Sequence, residues 1–248
     1  MAGLSGAGEG TGVLEIGPGI GVLTVELAKL GGEVTAVELD SRLIPVLAQT
    51  LENYRNVQVV NADILKTDIA ALIKERFGEK PVYVCANLPY YITSPIIMRL
   101  LESRLPIEAV TVMVQKEAAD RICAEVGSRD AGALTVAVNY YASAQKLFSV
   151  SGDCFMPRPK VDSEVIRLTV RKEPAVAVKS EEFFFSLVKA AFAQRRKTAA
   201  NGISSGLSMA KEKVIGALEQ CGLPAAVRAE ALSMEKLAQL SDILYESR

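Results

Sequence analysis

Strand-like runs alternate with helical patterns along the first half of the chain. The strand-like runs are GVLEIG (12–17), EVTAVELD (33–40), VQVVNAD (57–63), PVYVCAN (81–87) and EAVTVMVQ (108–115). Segments between them, such as GVLTVELAKLG (21–31), place apolar residues at helical spacing. This alternation predicts an α/β fold with a mostly parallel sheet that is covered on both faces.

The strand signals stop after KVDSEVIRLTVRKEP (160–174). From Ser180 onward the patterns are helical, as in EEFFFSLVKAAFAQRRKTAANGI (181–203) and AKEKVIGALEQCGL (210–223). Pro174 to Lys179 is interpreted as a linker. We therefore predict a larger sheet domain at 1–174 and a small, all-helical C-terminal domain at 175–248.

Composition excludes several classes of function. The 248 residues include no histidine, which excludes His-based triads and His metal sites, and we predict no metal. The four cysteines are far apart, as is typical of reduced thiols in the cytoplasm. No apolar run approaches the roughly 20 residues of a membrane helix, so no membrane contact is expected.

Charge is distributed unevenly along the chain. Residues 1–152 carry a net charge of −4 and residues 153–248 a net charge of +3. The chain is therefore not a strongly basic nucleic-acid binder, and any RNA contact would require a local basic patch.

A glycine-rich turn, EIGPGIG (15–21), follows the first predicted strand. Glycine allows the backbone to approach a ligand, and the next helix begins with free N–H groups. The glycines at 17, 19 and 21 do not match the GxGxxG pattern of dinucleotide sites, and no Gly-Lys-Ser/Thr phosphate loop follows. Glu15 stands two residues before the first of these glycines.

Two further acidic residues end the next two predicted strands. Glu38 is placed to bind a ribose diol, and Asp63 is placed to accept a hydrogen bond from an adenine amine. Together with Glu15 they outline an adenosine-shaped site without a phosphate subsite. S-adenosylmethionine has adenine, ribose and an amino acid but no phosphate, so we predict it as the cofactor.

The stretch NLPYYITSP (87–95) follows the fourth predicted strand. Asn-Leu-Pro-Tyr resembles the (Asn/Asp)-Pro-Pro-(Tyr/Phe) motif of methyltransferases that act on amide or exocyclic nitrogens. The Asn87 side-chain oxygen and the Leu88 carbonyl would accept both hydrogens of an adenine amine, and Pro89 would fix the loop. Tyr90 offers a ring on which the base can stack. A methyl sulfonium is already activated, so positioning suffices and no strong base is required.

Five motifs together identify the chain as similar to the ribosomal RNA adenine dimethyltransferase family. They are VLEIGPGIGVLT, NADIL, NLPYYITSPIIMRLL, MVQKEAADRI and CFMPRPKVDSEVIRL. They resemble the housekeeping small-subunit branch more than the erythromycin-resistance branch. The resemblance implies a Rossmann-like S-adenosylmethionine-dependent methyltransferase. Its reaction would be two successive methyl transfers to the amine of each of two adjacent adenosines near the 3′ end of small-subunit ribosomal RNA.

The resemblance also implies roles for individual residues. The cofactor would be held by Glu15, Gly17, Gly19, Glu38, Leu39, Asp63, Ile64 and Asn87. The target base would be held by Asn87, Leu88, Pro89 and Tyr90, with Phe155 as the second stacking face. Separately from the resemblance, the basic residues Arg158, Lys160, Arg195, Arg196 and Lys197 form a candidate RNA contact, the last three predicted to lie on a helix. A solvated helix face is the alternative that stays open for this cluster. The expected partner is the immature small ribosomal subunit, bound in the cytoplasm by a monomer.

The chain departs from the family pattern at its start. Members begin with a basic segment and a Gln-Asn-Phe-Leu motif, and neither occurs before Val13. Residues 1–12 are therefore expected to leave the site uncovered, with weak cofactor binding and weak methylation. Two alternatives stay open at this point. One is a methyltransferase acting on DNA adenine or protein glutamine, and the other is an assembly factor that binds immature subunits with little turnover.

Overall fold

In the computed structural model, which describes residues 1–89, 92–155, 161–194 and 196–247, strands and α-helices follow one another along the chain. The strands are β1 (Gly12–Ile16), β2 (Glu33–Glu38), β3 (Val57–Asn61), β4 (Val82–Asn87), β5 (Ile107–Gln115), β6 (Ala142–Val150) and β7 (Ser163–Val170). The helices are α1 (Val22–Ala28), α2 (Ile44–Thr50), α3 (Ile69–Phe77), α4 (Thr93–Glu102), α5 (Lys116–Ile122), α6 (Ala133–Tyr141), α7 (Glu181–Phe192), α8 (Ala199–Leu207), α9 (Lys211–Gln220) and α10 (Met234–Glu246).

The strands form one seven-stranded sheet in the order β3-β2-β1-β4-β5-β7-β6. Strands β1 to β5 pair in parallel with their neighbours, and β7 pairs antiparallel with β5. The predicted mostly parallel α/β sheet is therefore confirmed. The pattern analysis did not identify β6, in which apolar residues are interrupted by Ser, Gln and Lys.

The central strands are covered on both faces. Every residue of β1 is buried, and so are five of the six residues of β2. Since successive side chains of a strand point to opposite faces, this burial requires packing on each side of the sheet. These mainly apolar strands are thus flanked by other strands and covered on both faces.

The chain divides into two compact units. The first comprises residues 1–119 and 143–170 and contains nearly the whole sheet. The second comprises residues 120–142 and 171–248 and contains helices α6 to α10. Residues 120–142 thus group with the C-terminal helices, although the pattern analysis placed them in the sheet domain. The observed boundary at 170/171 lies four residues before the predicted one at 174/175.

Helix α7 is the centre of the second unit and packs against α6, α8 and α10. Its contact with α8 is close because α8 presents glycine: a Cβ atom on Gly206 would lie 2.5 Å from the Cβ atom of Ala190. Where α7 packs against α6, the ring centroids of Phe184 and Tyr140 are 5.3 Å apart. Aromatic packing and close approach at small residues thus both contribute to the apolar core of this unit.

Candidate functional site

A cleft of about 630 Å³ opens at the carboxyl ends of β1 and β4. The strand order reverses there, since β2 and β3 extend from one side of β1 while β4 and β5 extend from the other. Ligands of open α/β sheets bind at such a switch point. Four of the predicted site residues line the cleft, namely Glu15, Gly17, Gly19 and Asn87.

The glycine turn between β1 and α1 has the backbone conformation that its sequence predicts. Gly17 and Gly19 have φ angles of 68° and 60°, which side chains with a Cβ atom rarely adopt. A Cβ atom on either residue would meet no atom within 4 Å, so the space beside the turn is open. The turn therefore presents bare backbone to the cleft.

Glu38 holds this turn from the end of β2. Its side chain is 7% exposed. One carboxylate oxygen accepts the Gly19 N–H at 3.1 Å, and the other accepts the Asp40 N–H at 2.8 Å. A carboxylate oxygen has a further lone pair, so each can still accept a ligand hydroxyl. Among described residues, Glu38 is not part of the cleft lining itself.

Glu15 is a buried carboxyl group at the end of β1, with 1% exposure. Burial raises its pKa from the ordinary 4.5 to about 7; the Thr24 hydroxyl opposes this rise and the charge of Glu38 adds to it. The Thr24 hydroxyl lies near, yet Oε2 of Glu15 has no partner with hydrogen-bonding geometry among the described residues. An unpaired buried carboxyl oxygen in a cleft wall is a feature that a cationic or hydrogen-bond-donating ligand would satisfy.

Asp63 forms a turn after β3. Its Oδ1 accepts the Leu65 N–H at 3.0 Å, and its carbonyl accepts the N–H groups of Lys66 and Thr67, each at 2.9 Å. Ile64 is buried, whereas Leu39, after β2, is 68% exposed. Among described residues, none of these three predicted positions lines the cleft.

The loop after β4 connects the sheet to α4. Asn87 is the last residue of β4, as predicted, and it is exposed at the cleft. Leu88 is buried, and the Pro89 carbonyl accepts the Ile92 N–H at 3.1 Å, which leads the chain into α4. Tyr90 lies outside the described residues.

The other predicted contact residues are placed as follows. Phe155 follows a 3-10 turn at Gly152–Cys154 and is partly buried. Arg196 and Lys197 are exposed, but the prediction that they lie on a helix is wrong, because α7 ends at Phe192 and Thr198 caps the start of α8. Arg158, Lys160 and Arg195 lie outside the described residues.

The first residues of the chain also differ from expectation. Met1, Ala2 and Gly3 line the cleft, and residues 2–4 form a 3-10 turn. Arg167 of β7 fastens this segment to the sheet by donating to the Leu4 carbonyl at 3.2 Å. No periodicity in the glycine-rich sequence could have indicated this contact, which joins residues 163 positions apart.

Neither a membrane-spanning helix nor a metal-binding cluster occurs among the described residues. Within the described ranges, no helix is long and apolar enough to cross a membrane. The same residues contain no group of three or more Cys, Asp or Glu side chains arranged to hold a metal ion.

Comparison with known proteins shows the family to which the chain belongs. Residues 3–246 match the family described as ribosomal RNA adenine dimethylase. The chain is 52% identical over 237 residues to ribosomal RNA small subunit methyltransferase A of Lachnoclostridium phytofermentans, covering 94% of this chain and 82% of that protein. It is 50% identical over 246 residues to the protein of the same name from Bacillus licheniformis, covering 98% and 84% respectively.

Solved structures have the same architecture. A dimethyladenosine transferase from Plasmodium falciparum superposes with a TM-score of 0.77 at 26% identity, covering 96% of this chain and 92% of that one. The 23S rRNA methyltransferase ErmE superposes with a TM-score of 0.73 at 29% identity, covering 98% and 95%. The predicted Rossmann-like methyltransferase fold with a helical C-terminal domain is thereby confirmed. The chain belongs to the ribosomal RNA adenine dimethylase family.

Proposed function

We propose that this protein transfers methyl groups from S-adenosylmethionine to the exocyclic amines of two adjacent adenosines near the 3′ end of small-subunit ribosomal RNA. Each adenosine receives two methyl groups in succession. The observation that carries the proposal is the meeting of Glu15, the glycine turn and Asn87 at one cleft. The identity of 50% or more to small-subunit methyltransferases supports the small subunit as the source of the substrate.

The residues at the cleft fit S-adenosylmethionine. The orphaned carboxyl oxygen of Glu15 would accept from the ammonium of the amino-acid end, and the open side of Gly17 and Gly19 would leave room for it. Glu38 would accept from the ribose hydroxyls with its remaining lone pairs. When bound, the cofactor supplies a methyl group on a sulfonium, which is already a good electrophile.

At the adenine end of the cofactor, three residues are proposed to act. Asp63 would accept a hydrogen bond from the adenine amine with Oδ2, because the Leu65 N–H engages only Oδ1 and the exposed Lys66 ammonium lies 3.7 Å from Oδ2. Leu39 and Ile64 would provide apolar contact with the ring. Leu39 is 68% exposed, and a flat ligand would cover it.

The loop after β4 is proposed to hold the target base. The Asn87 side-chain oxygen and the Leu88 carbonyl would accept the two hydrogens of the adenine amine, which leaves the nitrogen lone pair available to attack. Pro89 restricts the loop, and Tyr90 and Phe155 are proposed to stack on the base. These residues would orient the amine in line with the transferable methyl carbon, and the amine proton would leave to solvent after transfer.

Contact with the rest of the RNA is proposed to involve basic residues outside the cleft. Arg196 and Lys197 are exposed between α7 and α8, where they can reach phosphates. We propose the same role for Arg158, Lys160 and Arg195. We expect the protein to act as a monomer in the cytoplasm, on immature small subunits.

The decisive experiment is methyl transfer from labelled cofactor to small subunits isolated from cells that lack the modification. Naked small-subunit RNA, duplex DNA and a glutamine-containing peptide serve as competing substrates, and the modified base is mapped by mass spectrometry. We expect dimethyladenosine at two adjacent positions of the subunit RNA. Transfer to DNA or peptide alone would contradict the proposal. Subunit binding without any transfer would favour an assembly factor.

A further inference from the structure

The turn after β3 leaves two carbonyl groups for another part of the molecule. Asp63 satisfies the N–H groups of Leu65, Lys66 and Thr67 within the turn. The carbonyl oxygens of Leu65 and Thr67 are not used within it, and both residues are partly buried. The turn is held at its start by the Ala62 N–H, which donates to the Glu38 carbonyl, and these two oxygens are a second place at which it can be held.

Arg99 binds both of them. Its Nη1 donates to the Leu65 carbonyl, and its Nη2 donates to the Thr67 carbonyl at 2.8 Å. A guanidinium keeps its charge throughout the accessible pH range, and its planar fork suits two acceptors held side by side. Charge-assisted bonds of this kind are stronger than neutral ones. The two hydrogen bonds thus hold the turn at both Leu65 and Thr67.

Arg99 lies in the last turn of α4, and α4 begins just after the Asn87–Pro89 loop. Helix α4 therefore directly follows the loop proposed to hold the target base. Through Arg99 it is also hydrogen-bonded to the turn that carries Asp63. The two carbonyls are only partly buried, so water could satisfy them if Arg99 were absent. We therefore expect the contact to act mainly on where the turn sits.

We propose that Arg99 is a positioning residue that sets the affinity for the adenine end of the cofactor by fixing the Asp63 turn. This inference rests on the proposed function, in which Asp63 accepts from the adenine amine. Arg99 itself touches neither cofactor nor base in this role. Its loss would let the turn move, so that the Asp63 carboxylate spends less time where the adenine amine needs it.

The expected effect separates binding from chemistry. Arg99→Met should raise the dissociation constant for S-adenosylmethionine about tenfold, while kcat at saturating cofactor changes less than about twofold. Arg99→Lys retains a charged donor group, so its dissociation constant should fall between those of the unmodified protein and Arg99→Met. Arg76→Met is the matched control, because Arg76 also lies in the last turn of a helix of the same unit, α3.

The test is calorimetric binding of S-adenosylhomocysteine and its inosine analogue, together with initial rates on unmethylated small subunits. The inosine analogue has a carbonyl where adenine has its amine, so it offers Asp63 no amine hydrogen at that position. Arg99→Met should bind S-adenosylhomocysteine more weakly than the unmodified protein does. Both proteins should bind the inosine analogue with the same, lower affinity. Adding Arg99→Met to Asp63→Ala should likewise cause little further loss.

The outcomes distinguish this inference from the proposed function. If the unmodified protein binds the cofactor and methylates subunits but Arg99→Met binds as tightly, the positioning role is refuted. Equal weakening of both ligands, a loss confined to kcat, or a loss of thermal stability with unchanged affinity would also refute it. If Arg99→Met fails to fold, Arg99→Lys alone decides between these outcomes. If the unmodified protein neither binds nor methylates, the proposed function itself fails.

Discussion

Replacement of Glu15 by Gln should make the stability of this protein less dependent on pH. The Glu15 carboxyl group is buried, and its pKa is raised from 4.5 to about 7, chiefly by desolvation. Cys85 lies opposite it in the β1–β4 register, and burial raises the pKa of that thiol to about 12, so it stays neutral. The nearby charge of Glu38 also raises the pKa of Glu15.

The sign follows from comparing the folded and unfolded chains. Below pH 4.5 Glu15 is protonated in both states, and its stabilising effect is fully present. As pH rises, the unfolded chain loses the proton first, while the folded chain keeps it until about pH 7. Stability is lost across this window and changes no further above it. A rise from 4.5 to about 7 corresponds to about 3 kcal/mol at 1.36 kcal/mol per pKa unit.

The assay is urea unfolding of the natural protein and Glu15→Gln at several pH values across this window. Gln keeps the size of the side chain but cannot ionise, and all other groups are shared, so the difference between the two free energies of unfolding isolates Glu15. We expect the natural protein to lose about 3 kcal/mol relative to the variant across the window. A difference that stays constant with pH would refute the reasoning.

Four further results are expected. Glu38→Ala should weaken cofactor binding by about 1.5–3 kcal/mol in titration calorimetry, because it removes charge-assisted bonds to the ribose and the anchor of the glycine turn. Asn87→Ala should reduce kcat far more than cofactor affinity, since its bonds strengthen as the amine reacts; equal losses in both would contradict its role. Neutralising Arg196 and Lys197 should flatten the dependence of subunit binding on salt, and an unchanged slope would assign them to a solvated surface. Gly206→Ala should lower the free energy of unfolding by about 1–3 kcal/mol in denaturant titration, because the added methyl overlaps α7.

The meeting of Glu15, the glycine turn and Asn87 at one cleft was predictable because each of these parts is local in sequence. A buried strand is a short apolar run, and the turn that ends it is marked by glycine or proline within a few residues. Glu15, the glycine turn and Asn87 each stand at such a strand end. Parallel strands bring their carboxyl ends to one edge of the sheet. The fold class alone therefore predicts that these three parts lie side by side.

Tertiary structure decided the features that depend on distant residues. The sequence carries no local signal that residues 120–142 group with the C-terminal helices, or that residues 1–3 line the cleft. The contact of Arg99 with the Asp63 turn joins positions more than thirty residues apart, as its 34- and 32-residue separations show. Periodicity encodes the conformation of neighbouring residues, whereas such contacts form only when packing has already overcome the entropy of closing the intervening chain.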